Sequence, residues 1–264
     1  MYKPGPFFSI FDDFMIHRLL FSVLILLVTA TAAVAYSGPG DSVAAAAPPL
    51  GISVQRVKHP GRSTDKYVLF LPDAYYTDKT KRWPVLIFLH GKGERGDDIN
   101  LVKQMGIPHR IKNMGNFPFI VIAPQCKLNV NTWDVPSLNA MFPDILQYRV
   151  DTNRIYLTGL SMGGNGTWMW GMNSPDKFAA LAPICGWGNP ALACVLKDKP
   201  MKVFHNTDDD TVPVNGSRKL VNAVKNCGGT RIDYTERPTG GHDAWSIPYY
   251  DYKFYEWLLK QKKA

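Results

Sequence analysis

Short, unbroken apolar runs recur along most of this chain, and they constrain its fold more than any other feature. KYVLFL at 66–71, WPVLIFLH at 83–90, FIVIA at 119–123, RIYLTG at 154–159, AALAPI at 179–184 and MKVFH at 201–205 are such runs, and RIDYT at 231–235 closes the series. Most are continuous rather than alternating, which is the pattern of strands buried on both faces of a parallel sheet. Helical patterns fall between them, near 137–148, 162–173, 215–226 and 250–261. Strand–helix alternation of this kind predicts an α/β domain, with a mostly parallel central sheet and helices on both faces. In such sheets ligands bind beyond the carboxyl ends of the strands. Chemistry is therefore expected in the loops that follow apolar runs.

Composition narrows the class. With 264 residues, 45% hydrophobic and 20% charged, the chain is long enough for one sizeable core and is neither disordered nor fibrous. No repeat of 20–50 residues is visible, which excludes solenoids and propellers. The formal charge of +8 is spread along the chain, and no zinc-finger, RNP or basic-zipper pattern accompanies it, so nucleic acid is not expected as a partner.

The N-terminal segment reads as an address. Leu19 to Ala35 carries no charge, follows Arg18 and ends in Ala33-Val34-Ala35. A basic flank, an apolar stretch and an A-x-A site make a signal peptide. The run falls short of the ~20 apolar residues of a membrane anchor. Residues 1–35 are thus expected to be removed near Ala35, leaving a secreted or periplasmic protein, with Met1 or Met15 as the start; a membrane association is expected only if the segment is kept. Residues 36–50 are small and Gly/Pro/Ala-rich and read as a linker, leaving 51–264 as the α/β domain. Secretion permits disulfides among Cys126, Cys185, Cys194 and Cys227. Cys185 and Cys194, flanking a Gly/Pro loop, are the first expected pair. Buried free thiols are the alternative.

Three loops after strands carry reactive groups. Gly159-Leu160-Ser161-Met162-Gly163 is G-x-S-x-G between a strand and a helical stretch. That is a nucleophile elbow, a turn so sharp that side chains two before and two after the Ser would collide. Val203 to Pro213 (VFHNTDDDTVP) ends a strand in an acidic loop, and Gly240-Gly241-His242-Asp243-Ala244-Trp245 follows the last strand. A serine hydroxyl needs an imidazole base, and the base needs a carboxylate to fix its tautomer. His242 has the glycine-flanked strand-end position for that base. His90 and His205 read as loop-shaping residues, and His59 and His109 lack the context. The glycine-rich loop His90 to Gly96 after PVLIFL lacks the spacing of a phosphate cradle. It is placed instead to supply an oxyanion-binding N–H beside that of Met162.

Taken together, LIFLHGKGERGDD, FPFIVIAPQC, DTNRIYLTGLSMGGNGTW, FAALAPICG, VFHNTDDDTVPV and GHDAWSIPYY resemble the carboxylesterases of the α/β-hydrolase superfamily. The similarity is to polyhydroxybutyrate depolymerase/feruloyl esterase-like proteins and related serine peptidases and phospholipase/carboxylesterases, over about residues 52–260. It implies an α/β-hydrolase fold. The family's H-G-x-x-D-x-x-V-P loop, laid on His205 to Pro213, selects Asp209 over Asp208 and Asp210, with Asn206 standing where Gly is usual. A left-handed backbone at Asn206 would accommodate that departure. The second oxyanion N–H carries over to Lys92.

The expected function is secreted ester hydrolysis through Ser161, Asp209 and His242, with no metal or cofactor. The expected substrate is a small-molecule or polysaccharide-linked ester. A serine peptidase acting on short peptides and a catalytically silent binding protein on the same fold are the alternatives. Trp187 and Trp245, with Trp133, lie in or near strand-end loops and are candidates to stack on a sugar or phenolic ring. Trp168 and Trp170, following the elbow on a helix, are expected in the core.

Overall fold

In a computed structural model, which describes residues 47–263, eight strands form one sheet in the order β1-β2-β4-β3-β5-β6-β7-β8. The strands are β1 Gly51–Arg56, β2 Lys66–Leu71, β3 Trp83–Leu89, β4 Ile120–Pro124, β5 Val150–Leu160, β6 Ala180–Ile184, β7 Met201–Asn206 and β8 Ile232–Arg237. From β4 across to β8 every pairing is parallel, while β2 runs antiparallel to both β1 and β4. The unbroken apolar runs form the interior: every residue of β3, β4 and β6 is shielded from solvent. Two cores result, one on each face. Val85, Ile87 and Leu89 point to one and Leu86 and Phe88 to the other, as the two-residue period of a strand requires.

The helices are α1 Gly106–Ile111, α2 Val135–Leu146, α3 Met162–Asn173, α4 Asn215–Asn226, α5 Ser246–Tyr250 and α6 Tyr252–Lys260. α3 is the central one, and Trp168 and Trp170 on it are fully buried. The α/β sheet expected from the sequence is therefore the one observed, with additions that include β1, α1 and the short α5. β1 pairs along its whole length with β2 at the sheet edge, and α1 is a single short helix.

Register places the strand ends side by side. Leu89 pairs with Gly159, Gly159 with Pro183, Leu160 with Ile184 and Ile184 with Phe204. Asn206 pairs with Arg237. The loops after β3, β5, β6, β7 and β8 consequently open along one edge of the sheet.

The cysteine pairing differs from expectation. Cys194 is bonded to Cys227, with Cα atoms 5.4 Å apart, while Cys126 and Cys185 are free and buried. Cys185 follows the end of β6, with its Sγ 3.3 Å from the Ser161 backbone nitrogen. Cys194 lies in the 3₁₀ segment Pro190–Leu196 that packs on α4, whose C-cap is Cys227. The bond closes a loop of 33 residues. Chain entropy over a loop of that length contributes about 3–4 kcal/mol. Replacing both cysteines by Ser should lower Tm by roughly 10 °C, at about 2–4 °C per kcal/mol for a domain of this size. Scanning calorimetry checks it; an unchanged Tm would contradict the assignment. The expected signal segment 1–35, with its cleavage at Ala35, and most of the linker 36–50 lie outside the described residues.

Candidate active site

The elbow is built by close contact. A Cβ on Gly159 would lie 2.4 Å from the Gly163 carbonyl oxygen, and one on Gly163 would lie 1.9 Å from that of Leu89. Both positions therefore admit only glycine. Between them Ser161 has φ 55° and ψ −118°, a left-handed backbone that costs a residue with a Cβ energy. Two groups hold it there. Its N–H donates to the Ile184 carbonyl at 3.0 Å and lies 3.3 Å from Cys185 Sγ. Cys185 itself has φ 40°, and burial pushes its thiol well above the ordinary range, so it stays a neutral, inert thiol.

Ser161, His242 and Asp209 come together as one hydrogen-bonded chain. Ser161 Oγ is 2.9 Å from His242 Nε2, and His242 Nδ1 is 2.8 Å from Asp209 Oδ2. The Asp209 side chain is fully buried, whereas His242 keeps some exposure. Asp209 Oδ1 accepts the N–H groups of Thr211 (3.0 Å) and Val212 (2.8 Å). The ionised carboxylate is thereby satisfied within the turn it begins. Because the carboxylate only accepts, His242 Nδ1 must carry the proton, which leaves Nε2 to accept the serine proton.

Asp208 and Asp210 are placed otherwise. The Asp208 carboxylate accepts the N–H groups of Gly240 (3.1 Å) and Gly241 (2.8 Å), clamping the loop that presents His242. Asp210 is exposed and, among the described residues, accepts only from the neighbouring Thr211 hydroxyl. Asn206 corrects an expectation. It lies in β7, outside the left-handed region, so no conformational tolerance is needed. Its amide instead donates to the Gly241 carbonyl at 3.0 Å, tying the acid loop to the histidine loop.

The loop carrying Lys92 lies against the nucleophile. A Cβ on Gly91 would be 3.7 Å from Ser161 Cβ. Arg95 holds this loop: Nε donates to the Lys92 carbonyl at 3.0 Å and Nη1 to the Val130 carbonyl at 2.7 Å. Gln125 Nε2 donates to the carbonyls of Glu94 and Asp98. Met162 is buried and begins α3, so its N–H has no acceptor within the helix.

His90 anchors the same loop from below. Its Nε2 accepts the Cys126 N–H at 2.9 Å, and its Nδ1 donates to the Gly91 carbonyl at 2.6 Å. Burial lowers its pKa to about 4, so the ring is neutral at ordinary pH. The unfolded chain takes up a proton here near pH 6.5 and the native state does not, so the stability contributed is complete above that pH and is lost as pH falls toward 4. The shift corresponds to about 3 kcal/mol. Urea titrations at pH 7.5 and 4.5 should show that decline in the native chain and a shallower one in a His90→Gln variant. Equal slopes would remove His90 as the cause.

Of the candidate tryptophans, Trp133 is buried beneath the His90 loop and donates to the His90 carbonyl at 3.2 Å, which makes it packing. Trp245 meets the His242 ring edge-on at 5.4 Å and is half-buried against the core. Trp187 is the exposed one. It lines an open groove with Pro190, Thr211, Val212, Pro213 and Lys219, beside the turn that holds Asp209.

The topology agrees with that of known proteins. No family model matches the chain. Among solved structures, a thermostable esterase is 34% identical with a TM-score of 0.67, over 80% of this chain and 62% of that one. The chain has the α/β-hydrolase fold. A ferulic acid esterase shares the fold at 20% identity and TM-score 0.57, over 80% of this chain and 97% of that one. A bifunctional acetylxylan esterase/xylanase of Neocallimastix patriciarum is 29% identical over 136 residues, 49% of this chain. An uncharacterized secreted protein of Arthroderma benhamiae is 29% identical over 141 residues, 50% of this chain. The chain's match spans 20% and 14% of the lengths of these two relatives.

Proposed function

We propose that this α/β-hydrolase is a secreted serine esterase that cleaves carboxylic esters through an acyl-enzyme. The observation that carries the proposal is the hydrogen-bonded chain from Ser161 through His242 to buried Asp209. Ser161 Oγ attacks the acyl carbon while its proton passes to His242 Nε2. Asp209 stabilises the imidazolium and keeps the ring oriented. The oxyanion is received by the N–H groups of Met162 and Lys92, the first reinforced by the positive end of α3. His242 then protonates the departing alcohol, and water repeats the sequence to release the acid.

Esters attached to plant polysaccharide are the proposed substrate class. Support comes from the acetylxylan esterase and ferulic acid esterase among the similar proteins, and from the open edge around the nucleophile, with Trp187 and Trp245 offered as aromatic surfaces for the substrate. Secretion is proposed from the uncharged run and A-x-A site of residues 19–35, and the similar secreted protein supports it. Fluorophosphonate labelling tests the nucleophile, and release from p-nitrophenyl esters, methyl ferulate and acetylated xylan tests the substrate class. A chain that takes no label would be a binding protein on this fold. N-terminal sequencing of exported protein should begin near Tyr36.

A further inference from the structure

The turn from His205 to Val212 contains a second imidazole that faces the same carboxylate as His242. His205 is buried at the end of β7. Its Nε2 is 2.9 Å from the Val212 carbonyl oxygen and 3.3 Å from Asp209 Oδ2. Both are acceptors, so Nε2 must be the protonated nitrogen. Its Nδ1 is 2.8 Å from Ser217 Oγ on α4, and in a neutral ring this nitrogen accepts the hydroxyl proton in preference to the Gly186 carbonyl, which lies farther from the same oxygen at 3.2 Å. The charged or titratable groups facing the ring are Asp209 and, beyond it, His242; burial lowers the His205 pKa, so the ring is neutral.

Asp209 is thus gripped on both oxygens. Oδ1 takes two backbone N–H groups, and Oδ2 takes the His242 Nδ1–H on one side and has His205 Nε2 in contact at 3.3 Å on the other. Rotation of the carboxylate breaks bonds at both ends. We propose that His205 is a positioning residue for the acid: its Nε2–H, shared between the Val212 carbonyl and Asp209 Oδ2, fixes the carboxylate plane that aims His242, and Ser217 selects the tautomer that makes this possible. The kinetic part of this inference rests on the esterase reading above.

Replacing His205 by Gln and by Asn separates the donor from mere filling. A Gln amide reaches the position of Nε2, and an Asn amide ends near Nδ1. Losing a hydrogen bond to a charged group should lower kcat about 10–100-fold in the Asn variant, with KM little changed. His205→Gln should restore kcat to within about threefold of the native enzyme. If Asn matches the native enzyme, or if a folded Gln variant falls with Asn, the proposal is overturned. Should the Asn variant not fold, Ser217→Ala keeps the ring and removes the tautomer's partner; it should lower kcat several-fold, and an unchanged kcat overturns the proposal. A readout independent of turnover is ¹⁵N NMR of the imidazoles at neutral pH. His205 should carry its proton on Nε2, and a proton on Nδ1 refutes the assignment. A native chain without esterase activity sinks the esterase reading, and the NMR result still decides where the His205 proton lies.

Discussion

Ser161→Ala should leave the fold standing and abolish nearly all ester turnover, by about 10⁴-fold or more in kcat. The stability expectation follows from the elbow itself. Ser161 already carries a Cβ at φ 55°, so alanine adds no new strain. Among the described residues, the side-chain hydrogen bond lost is the one to His242. The change in stability should stay within about 1 kcal/mol. Ser161→Gly should be the more stable of the two inactive variants by about 1 kcal/mol, because glycine adopts a positive φ without cost. Calorimetry and p-nitrophenyl acetate hydrolysis on the three proteins give both comparisons. A Ser161→Ala enzyme retaining more than a tenth of native turnover would show that the nucleophile lies elsewhere.

The fold was legible because its central strands are buried on both faces and read as unbroken apolar runs. β1 was not, since GISVQR has only half-buried and exposed residues at a sheet edge and carries no such run. α1 was hidden by its shortness and by the Gly106 and Pro108 within it. The elbow was legible because its glycines answer to local collisions, here with Gly163 and Leu89. The disulfide was not, because the pairing depends on the 3₁₀ segment 190–196 packing against the end of α4, which no spacing records. The same holds within the site. Spacing marked Asp209 and His242, but the clamp of Asp208 on Gly240 and Gly241 and the contact of His205 with Asp209 arise only when β7 and β8 lie in register.

That clamp changes what substitution of the three adjacent aspartates should do. Judged from turn geometry alone, Asp208→Asn and Asp210→Asn should both resemble the native enzyme. With the loops in place, only Asp210 is free of the site, so Asp210→Asn should be neutral. Asp208→Asn keeps one acceptor where two N–H groups are held, and should lower kcat modestly, on the order of the ~1 kcal/mol of one hydrogen bond, or several-fold. Asp209→Asn should be far worse. The amide oxygen is claimed by the N–H groups of Thr211 and Val212, which forces the NH₂ toward His242. His242 Nδ1 must then become an acceptor, and its proton moves to Nε2, where it faces Ser161 Oγ and blocks the base. The same NH₂ also meets the N–H of His205, donor against donor. A wrong tautomer of this kind costs about 10⁴ in kcat in serine hydrolases with intact geometry. The expected order of damage is Asp209, then Asp208, then Asp210, read from kcat on a single p-nitrophenyl ester. A variant at 208 more damaging than that at 209 would mean that the acid of the site is misplaced by one residue.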